Sequence, residues 1–190
     1  MTRSPAPRIG LVTEAPPELQ EILDRGPVSG GVLRVFQTLA HNPKLLKRFN
    51  VLAGGLLARG LLPPRERELV ILRMAFRCRS VFEFGQHTRL GLASGLSQDE
   101  ADRVVQPLEV AAFPPADEAL LRMVDELYDA NRVTDSTWRQ LARRWNEAEL
   151  LELLMVAGFY WMVAGVLRSA EVEPEPGAPG WPAGASIAEE

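Results

Sequence analysis

A glutamate and a histidine near the middle of the chain have a spacing that suits proton transfer. Glu83 and His87 are four residues apart, so on a helix their side chains share one face, with Cβ atoms roughly 5–6 Å apart. A carboxylate so placed can orient an imidazole, raise its pKa and fix which ring nitrogen is protonated. Glu68 lies on the preceding predicted helix, and two helices joined by a short turn pack antiparallel. The three residues would then share one pocket and form a general acid–base set; an exposed, solvated pair is the alternative.

Aromatic residues and a second histidine are further candidates for a binding pocket. Phe82 and Phe84 flank Glu83 in the sequence, and they can line an apolar pocket or simply pack in the core. His41 precedes an Asn-Pro pair where a helix is predicted to begin. There it can contact the pocket, or it can have only a structural or capping role.

The single cysteine limits redox and metal chemistry. One Cys and two His allow no intrachain disulfide, no Cys-rich metal site and no cage of several histidines, although carboxylates can supplement one histidine. Cys78 lies between Arg77 and Arg79, whose charges can lower a thiol pKa, but neighbours in sequence on a helix point in different directions. We expect Cys78 to be a small, mostly buried residue, and we expect neither a metal nor a cofactor.

Charge and hydropathy argue against two kinds of partner. The 21 Lys and Arg are outnumbered by 25 Asp and Glu, giving a net charge of −4, whereas non-specific nucleic-acid binding requires surplus positive charge. The first residues carry charge and proline where a secretory signal would be apolar. The apolar segment Leu150–Leu167 is interrupted by Glu152 and is shorter than the roughly 20 apolar residues of a bilayer span. We expect a buried core or interface helix there, and a cytoplasmic protein without nucleic-acid or membrane partners.

Proline and glycine positions divide the chain into helices. None of the 15 prolines occurs from Arg65 to Gln106 or from Ala116 to Val172, so long helices can form there. No alternating apolar and polar run is long enough for a strand. The predicted helices span Pro17–Arg25, Gly31–Ala40, Pro43–Arg59, Pro64 to about Cys78, a helix capped by Ser80 and ending at Ala93, a helix begun by a Ser97–Glu100 capping box, Asp117–Asn131, Asp135–Trp145 and Glu147–Ala170. We predict an all-α domain over residues 16–170, an N-terminal extension (1–15) and a disordered tail rich in Pro, Gly and Glu (171–190).

The stretch around these acidic residues resembles the core helix pair of a known family. In PPRERELVILRMAFRCRSVFEFGQHTRLGLASGLS, Glu68 lies in RELVILR, and Glu83, Gln86 and His87 lie in FEFGQH, followed by a GLS turn. The pattern is similar to the carboxymuconolactone decarboxylase family, which includes alkylhydroperoxidase D-like proteins. A weaker resemblance, carried by LAHNPKLLKRF before this stretch and DELYDANRVTDSTWRQLARRW after it, extends it to about residues 30–170. The resemblance implies an all-α helical bundle that assembles as a homo-oligomer.

The same resemblance distinguishes two activities within the family. Its alkylhydroperoxidase members reduce peroxides with a Cys-x-x-Cys pair that precedes a histidine, assisted by a glutamate one helix earlier. Those two cysteine positions fall on Ser80 and Glu83 here, so both thiols are missing. Peroxide reduction through a disulfide needs an attacking thiolate and a resolving thiol. A glutamate at the second position looks like the decarboxylase side of the family.

The resemblance therefore implies a cofactor-independent lyase that acts on a small organic acid or lactone. His87 would be the general acid or base, Glu83 would orient it, and Glu68 would be a second proton-transfer or polarising group. The expected substrate-binding residues are Phe82, Phe84, Gln86 and His41. Two alternatives stay open: peroxiredoxin-like antioxidant activity, which would use Cys78 alone, and a non-catalytic oligomeric protein that only binds a ligand. The expected partners are a small-molecule substrate and further copies of the chain.

Overall fold

Helices make up all the regular secondary structure in the described part of the protein. The computed structural model describes residues 7–14, 17, 19, 22 and 33–185, and these ranges contain no strand, so the predicted all-α class is confirmed for them. The predicted helix Pro17–Arg25 and the first two residues of Gly31–Ala40 lie largely outside these ranges. The helices with defined bounds are α1 (Arg34–Leu39), α2 (Pro43–Ala58), α3 (Pro64–Arg77), α4 (Val81–Ala93), α5 (Gln98–Arg103), α6 (Leu108–Ala111), α7 (Pro115–Ala130), α8 (Asp135–Leu141) and α9 (Glu147–Ser169).

The central helix is α3, which carries Glu68. Pro64 begins it, because a first-turn residue needs no N–H for the helical hydrogen bonds. The helix packs against α4, α7 and α9, and every residue from Glu66 to Ala75 is buried. One hydrophobic core takes Val70, Ile71 and Met74 from α3, and a second core takes Leu69, Leu72 and Ala75. Because both sides of α3 face a core, its charged side chains must find partners inside the protein.

A tight turn brings α4 back along α3. Arg79 adopts a φ of 55°, and the Ser80 N–H donates to the Ala75 carbonyl at 2.8 Å. The predicted antiparallel hairpin is therefore formed. The predicted cap is absent, because the Ser80 side chain makes no capping bond at the start of α4. The Ser80 hydroxyl is instead buried with no hydrogen-bond partner among the described residues.

Capping boxes mark the starts of two later helices. The predicted capping box of Ser97 and Glu100 begins α5, and a second box, of Asn146 and Glu149, begins α9. Helix α8 ends at Leu141, earlier than predicted. The four-residue helix α6 was not predicted, since so short a helix shows no apolar periodicity.

Helix α9 is buried on one side only. By length and composition alone it could cross a membrane, and half of its most apolar stretch is buried in the fold. The core helix of a soluble protein has the same character. Its inner face packs on α3 and α7, while Leu151, Met155 and Met162 are exposed. The expected core helix is thus present, with an apolar outer face that the described residues leave uncovered.

Residues 171–185, here called the C-terminal segment, fold back onto the helices. The Trp181 ring lies 4.8 Å from the Phe84 ring and 6.1 Å from the Phe76 ring, measured between centroids. Gly85 of α4 leaves room for the Pro179 carbonyl, which a Cβ at that position would strike. The segment therefore differs from the disordered tail that its composition predicts. The physical reason is the apolar area of Trp181, which finds a partly buried site on the second core.

The C-terminal segment also holds α1 in place. The Arg34 backbone N–H donates to Glu175 Oε1 at 2.6 Å. The Arg34 guanidinium donates to Glu173 Oε2 at 2.9 Å and to the Pro174 carbonyl at 3.1 Å. This clamp matters for the site, because Leu33, Val35 and Phe36, next to Arg34 in the sequence, form part of the wall of a cavity.

Candidate active site

The imidazole of His87 is held by a carboxylate from the neighbouring helix. His87 Nδ1 lies 2.7 Å from Glu68 Oε2. Glu68 is fully buried and His87 is 6% exposed. With Nδ1 engaged, Nε2 is the ring nitrogen available to a ligand. The expectation that Glu83 orients the histidine is therefore wrong in its choice of residue: Glu68, on α3, makes the bond.

Arg67 completes a buried charged group around Glu68. Arg67 Nε and Nη2 donate to Glu68 Oε1 at 3.1 and 2.9 Å, and its Nη1 donates to the Leu57 carbonyl at 2.7 Å. Burial alone would raise the pKa of Glu68, but the charge and hydrogen bond of His87, followed by those of Arg67, hold that pKa below 4.5. Glu68 is thus ionised at neutral pH and serves to position the ring. Arg67 was not predicted as a site residue, because it is one of four consecutive charged residues, Arg65 to Glu68, and nothing in the sequence distinguishes it from the others.

Glu83 differs from Glu68 in its partners and in the direction of its pKa shift. It is 2% exposed, and neither of its oxygens has a hydrogen-bond partner among the described residues. Burial raises the pKa of Glu83 from 4.5 to about 8, and the nearby Ser80 hydroxyl opposes only part of this effect. Glu83 is therefore protonated at neutral pH and can donate a proton or a hydrogen bond.

A cavity of about 70 Å³ brings the polar groups together. Glu83, Gln86 and His87 contribute to its lining from α4, and the Gln86 amide, like Glu83, has no hydrogen-bond partner among the described residues. The other described lining residues are aliphatic or aromatic: Leu33, Val35, Phe36, Phe49, Ala53, Leu57, Phe82, Leu90, Phe159, Tyr160, Val163 and Leu167. The structure thus brings Phe82, Glu83, Gln86 and His87 to one cavity, with Glu68 bonded to His87 but outside the lining.

Tyr160 is a site residue that was not predicted as such, since it lies within the apolar segment Leu150–Leu167, for which a buried core or interface helix was expected. Its ring meets the His87 ring edge-on, with centroids 4.7 Å apart and an interplanar angle of 84°. Complete burial, and then the charges of Glu68 and Glu83, raise the pKa of Tyr160 well above 10, so the phenol is neutral. Nothing in the local sequence of α9 distinguishes it from the surrounding core aromatics, because its proximity to His87 arises from tertiary packing.

Two predicted binding residues lie elsewhere. Phe84 is buried in the second core and contacts Trp181. Side chains two residues apart on a helix point to different sides, so Phe82 and Phe84 cannot both line one pocket. His41 is exposed and its Nε2 lies 2.9 Å from the Gly10 carbonyl, which ties the start of α2 to the N-terminal residues.

Cys78 is buried, as expected. It is 7% exposed, and its Sγ lies 3.7 Å from Met74 Sδ. Burial, followed by the charge of Glu83, raises the pKa of the Cys78 thiol to about 12, and Arg168 and Arg77 offset only part of this. A thiol in this state is a poor nucleophile.

A metal site is not evident in the described residues: none of their His, Cys, Asp and Glu side chains form a group of three or more that could hold an ion. The candidate site presents proton donors and acceptors: the ionised Glu68 with His87, and the protonated Glu83 with Gln86.

Several solved structures share this arrangement of helices, among them one described as an alkylhydroperoxidase AhpD core. A peroxidase-related protein from Silicibacter sp. TM1040 is 16% identical, with a TM-score of 0.82 over 95% of this chain and 98% of that one. A peroxidase-related protein from Ralstonia eutropha JMP134, described as an alkylhydroperoxidase AhpD core, is 20% identical, with a TM-score of 0.79 over 92% and 95%. The debrominase Bmp8 in complex with 2,3,4-tribromopyrrole is 13% identical, with a TM-score of 0.71 over 84% and 87%. These likenesses establish the fold.

Part of the sequence matches the model of a known family. Residues 43–126 match the carboxymuconolactone decarboxylase family, and this segment carries Glu68, Glu83 and His87. The match agrees with the resemblance that these residues carry in the sequence. No curated protein matches the chain in sequence.

Proposed function

We propose that the protein is a cofactor-independent lyase that acts on a small organic acid or lactone by general acid–base catalysis. In this proposal His87 Nε2 moves the proton at the reacting carbon, Glu68 positions the ring, and Glu83 is the acid. Loss of CO₂ leaves a carbanion or enolate that must be protonated, so a fixed proton donor is the essential requirement of such a site.

The observation that carries the proposal is the pair of glutamates in opposite protonation states beside one histidine. Glu68 is bonded to His87 at 2.7 Å and has a lowered pKa. Glu83 has a pKa raised to about 8 and two unpartnered oxygens at the cavity. Two titratable groups whose environments separate their pKa values in this way are typical of an acid–base site.

The test is turnover of a panel of small β-keto acids and unsaturated lactones, followed by CO₂ release and substrate loss. For a substrate that is turned over, Glu83→Gln and His87→Gln should each lower kcat by about 10²–10⁴-fold. Glu147→Gln, at an exposed position at the start of α9, is the matched control and should retain full turnover. Undiminished turnover in folded Glu83→Gln and His87→Gln variants would exclude the proposed roles.

The alternative of thiol peroxidase activity arises from the descriptions of the peroxidase-related neighbours. It would depend on Cys78, which is the single cysteine of the sequence and has a thiol pKa raised to about 12. We expect Cys78→Ala to retain turnover and Cys78 to react with iodoacetamide far more slowly in the folded than in the unfolded protein. Peroxide consumption that disappears in Cys78→Ala would favour the thiol mechanism instead. A ligand that binds tightly and is never converted would favour the non-catalytic binding protein.

A further inference from the structure

Two polar side chains of α4 that line the cavity, Glu83 and Gln86, are buried without a hydrogen-bond partner among the described residues. Glu83 is 2% exposed and Gln86 is 5% exposed. Buried polar groups in proteins are almost always hydrogen-bonded. Two adjacent exceptions at one cavity therefore indicate where a ligand would supply the missing partner.

The donors and acceptors of Glu83 and Gln86 indicate what kind of ligand group would bind them. The protonated Glu83 offers an O–H donor, and the Gln86 amide offers N–H donors and one acceptor oxygen. A carbonyl oxygen can accept from both donors at once. The rest of the described wall is aliphatic or aromatic, which suits the carbon skeleton next to that carbonyl.

The described residues that line the cavity offer no free positive charge to a carboxylate. Among the described lining residues, His87 is the one that can be cationic, and it already faces the ionised Glu68 at 2.7 Å. Arg67 is engaged by the same glutamate and by the Leu57 carbonyl. Moving a carboxylate from water into an apolar cavity is very unfavourable unless a cation pairs with it.

We propose that the group entering this cavity is an uncharged carbonyl on a small apolar skeleton, bound through Glu83 and Gln86, and that a carboxylate on the same substrate stays outside it. The inference rests on the proposed function, which it makes more specific. The volume of about 70 Å³ admits one end of such a molecule. The carbonyl is then the group on which negative charge develops, next to the Glu83 proton, while His87 faces the adjoining carbon.

The experiment compares ligands of one shape in equilibrium binding, measured by protein-observed NMR at pH 6.5. The probes are cyclopentanone, methylenecyclopentane, which has the same shape without an oxygen, and the cyclopentanecarboxylate anion. We expect cyclopentanone to bind at least roughly tenfold more tightly than either of the others, a difference in keeping with one or two hydrogen bonds. Glu83→Leu and Gln86→Leu should each remove the preference for the ketone over methylenecyclopentane, while Glu147→Gln should keep it.

Because binding is measured without turnover, the carbonyl site and the lyase activity can be tested independently. His87→Gln should lose turnover and keep the preference for the ketone. A wild-type protein that prefers the ketone but converts nothing in the panel would overturn the lyase assignment and leave the inference standing. Equal or tighter binding of the carboxylate, or a ketone preference that survives in both Glu83→Leu and Gln86→Leu, would overturn the inference whatever the turnover.

Discussion

At the scale of single residues, partners decide what each glutamate can do. Glu68 has Arg67 and His87 within 3.1 Å and is held as an anion. Glu83 is equally buried but has no charged partner in the described part of the chain, and it keeps its proton. The contrast means that the two glutamates are not interchangeable, since one holds a ring in position and the other can release a proton.

The raised pKa of Glu83 predicts that the free energy of unfolding depends on pH. Its pKa is about 8 in the folded protein and near 4.5 when exposed by unfolding, so between these values the folded state holds one proton more. Stability must then fall as pH rises through this range, by at most about 1.4 kcal/mol per pH unit. In urea unfolding at pH 5, 6.5, 8 and 9.5, the wild type should lose stability relative to Glu83→Gln, and the difference should level off above about pH 9. A constant difference across this range would show that Glu83 is ionised in the folded state.

The sequence predicts which residues meet at the site better than it predicts their pairing. The i, i+4 spacing correctly brings Glu83 and His87 to one cavity, because helix geometry alone decides it. That Glu68 bonds His87 depends on the rotation of α3 against α4, which spacing along one helix does not contain. Tyr160 comes from a helix about 70 residues further along, and its position at the site depends on packing between α9 and the hairpin.

At the scale of helices, one acidic residue of α9 has a structural task. Glu152, which interrupts the apolar run in the sequence, accepts the backbone N–H of Leu61 at 2.8 and 2.9 Å and that of Leu62 at 3.1 Å. Gly60 has no side chain at the point where this carboxylate passes. Glu152 therefore fixes the connection between α2 and α3, immediately before the helix that carries Glu68.

We predict that Glu152→Leu destabilises the protein although it makes α9 more apolar. The substitution leaves two backbone N–H groups without their acceptor, at a cost of about 1–3 kcal/mol. Chemical denaturation should show this loss, and Glu147→Leu on the same helix, where the residue is exposed, should change stability by less than about 0.5 kcal/mol. A stabilised Glu152→Leu variant would mean that these bonds contribute nothing.

At the scale of the whole molecule, α9 carries an apolar stripe that no residue in the described ranges covers. Leu151, Met155, Met162 and Val166 are between 43% and 63% exposed, and Gly158, between them, has open space around its Cα. Patches of this kind usually mark interfaces. We propose, as the sequence predicts, that copies of the chain associate through this stripe, with the closed symmetry common among soluble oligomers.

Light scattering tests this proposal directly. We expect a mass that is a multiple of 21.0 kDa at micromolar concentration, and a shift towards the monomer in Met155→Glu and Met162→Glu. Val110→Glu, at an apolar residue that is also exposed but lies on α6, is the control and should assemble normally. A wild-type protein that is monomeric, or assembly that Met155→Glu and Met162→Glu leave unchanged, would count against the stripe as an interface.

The clamp between α1 and the C-terminal segment has a consequence for the order of assembly during synthesis. Its hydrogen bonds join residues that are 139 to 141 positions apart in the sequence. Arg34 is therefore synthesised long before its partners Glu173 and Glu175. Domains form from the N-terminus as the chain emerges, and contacts of such long range form late. The α3–α4 hairpin with Glu68 and His87 can therefore form early in synthesis, whereas the cavity gains its fixed α1 wall only after Glu173 and Glu175 have emerged.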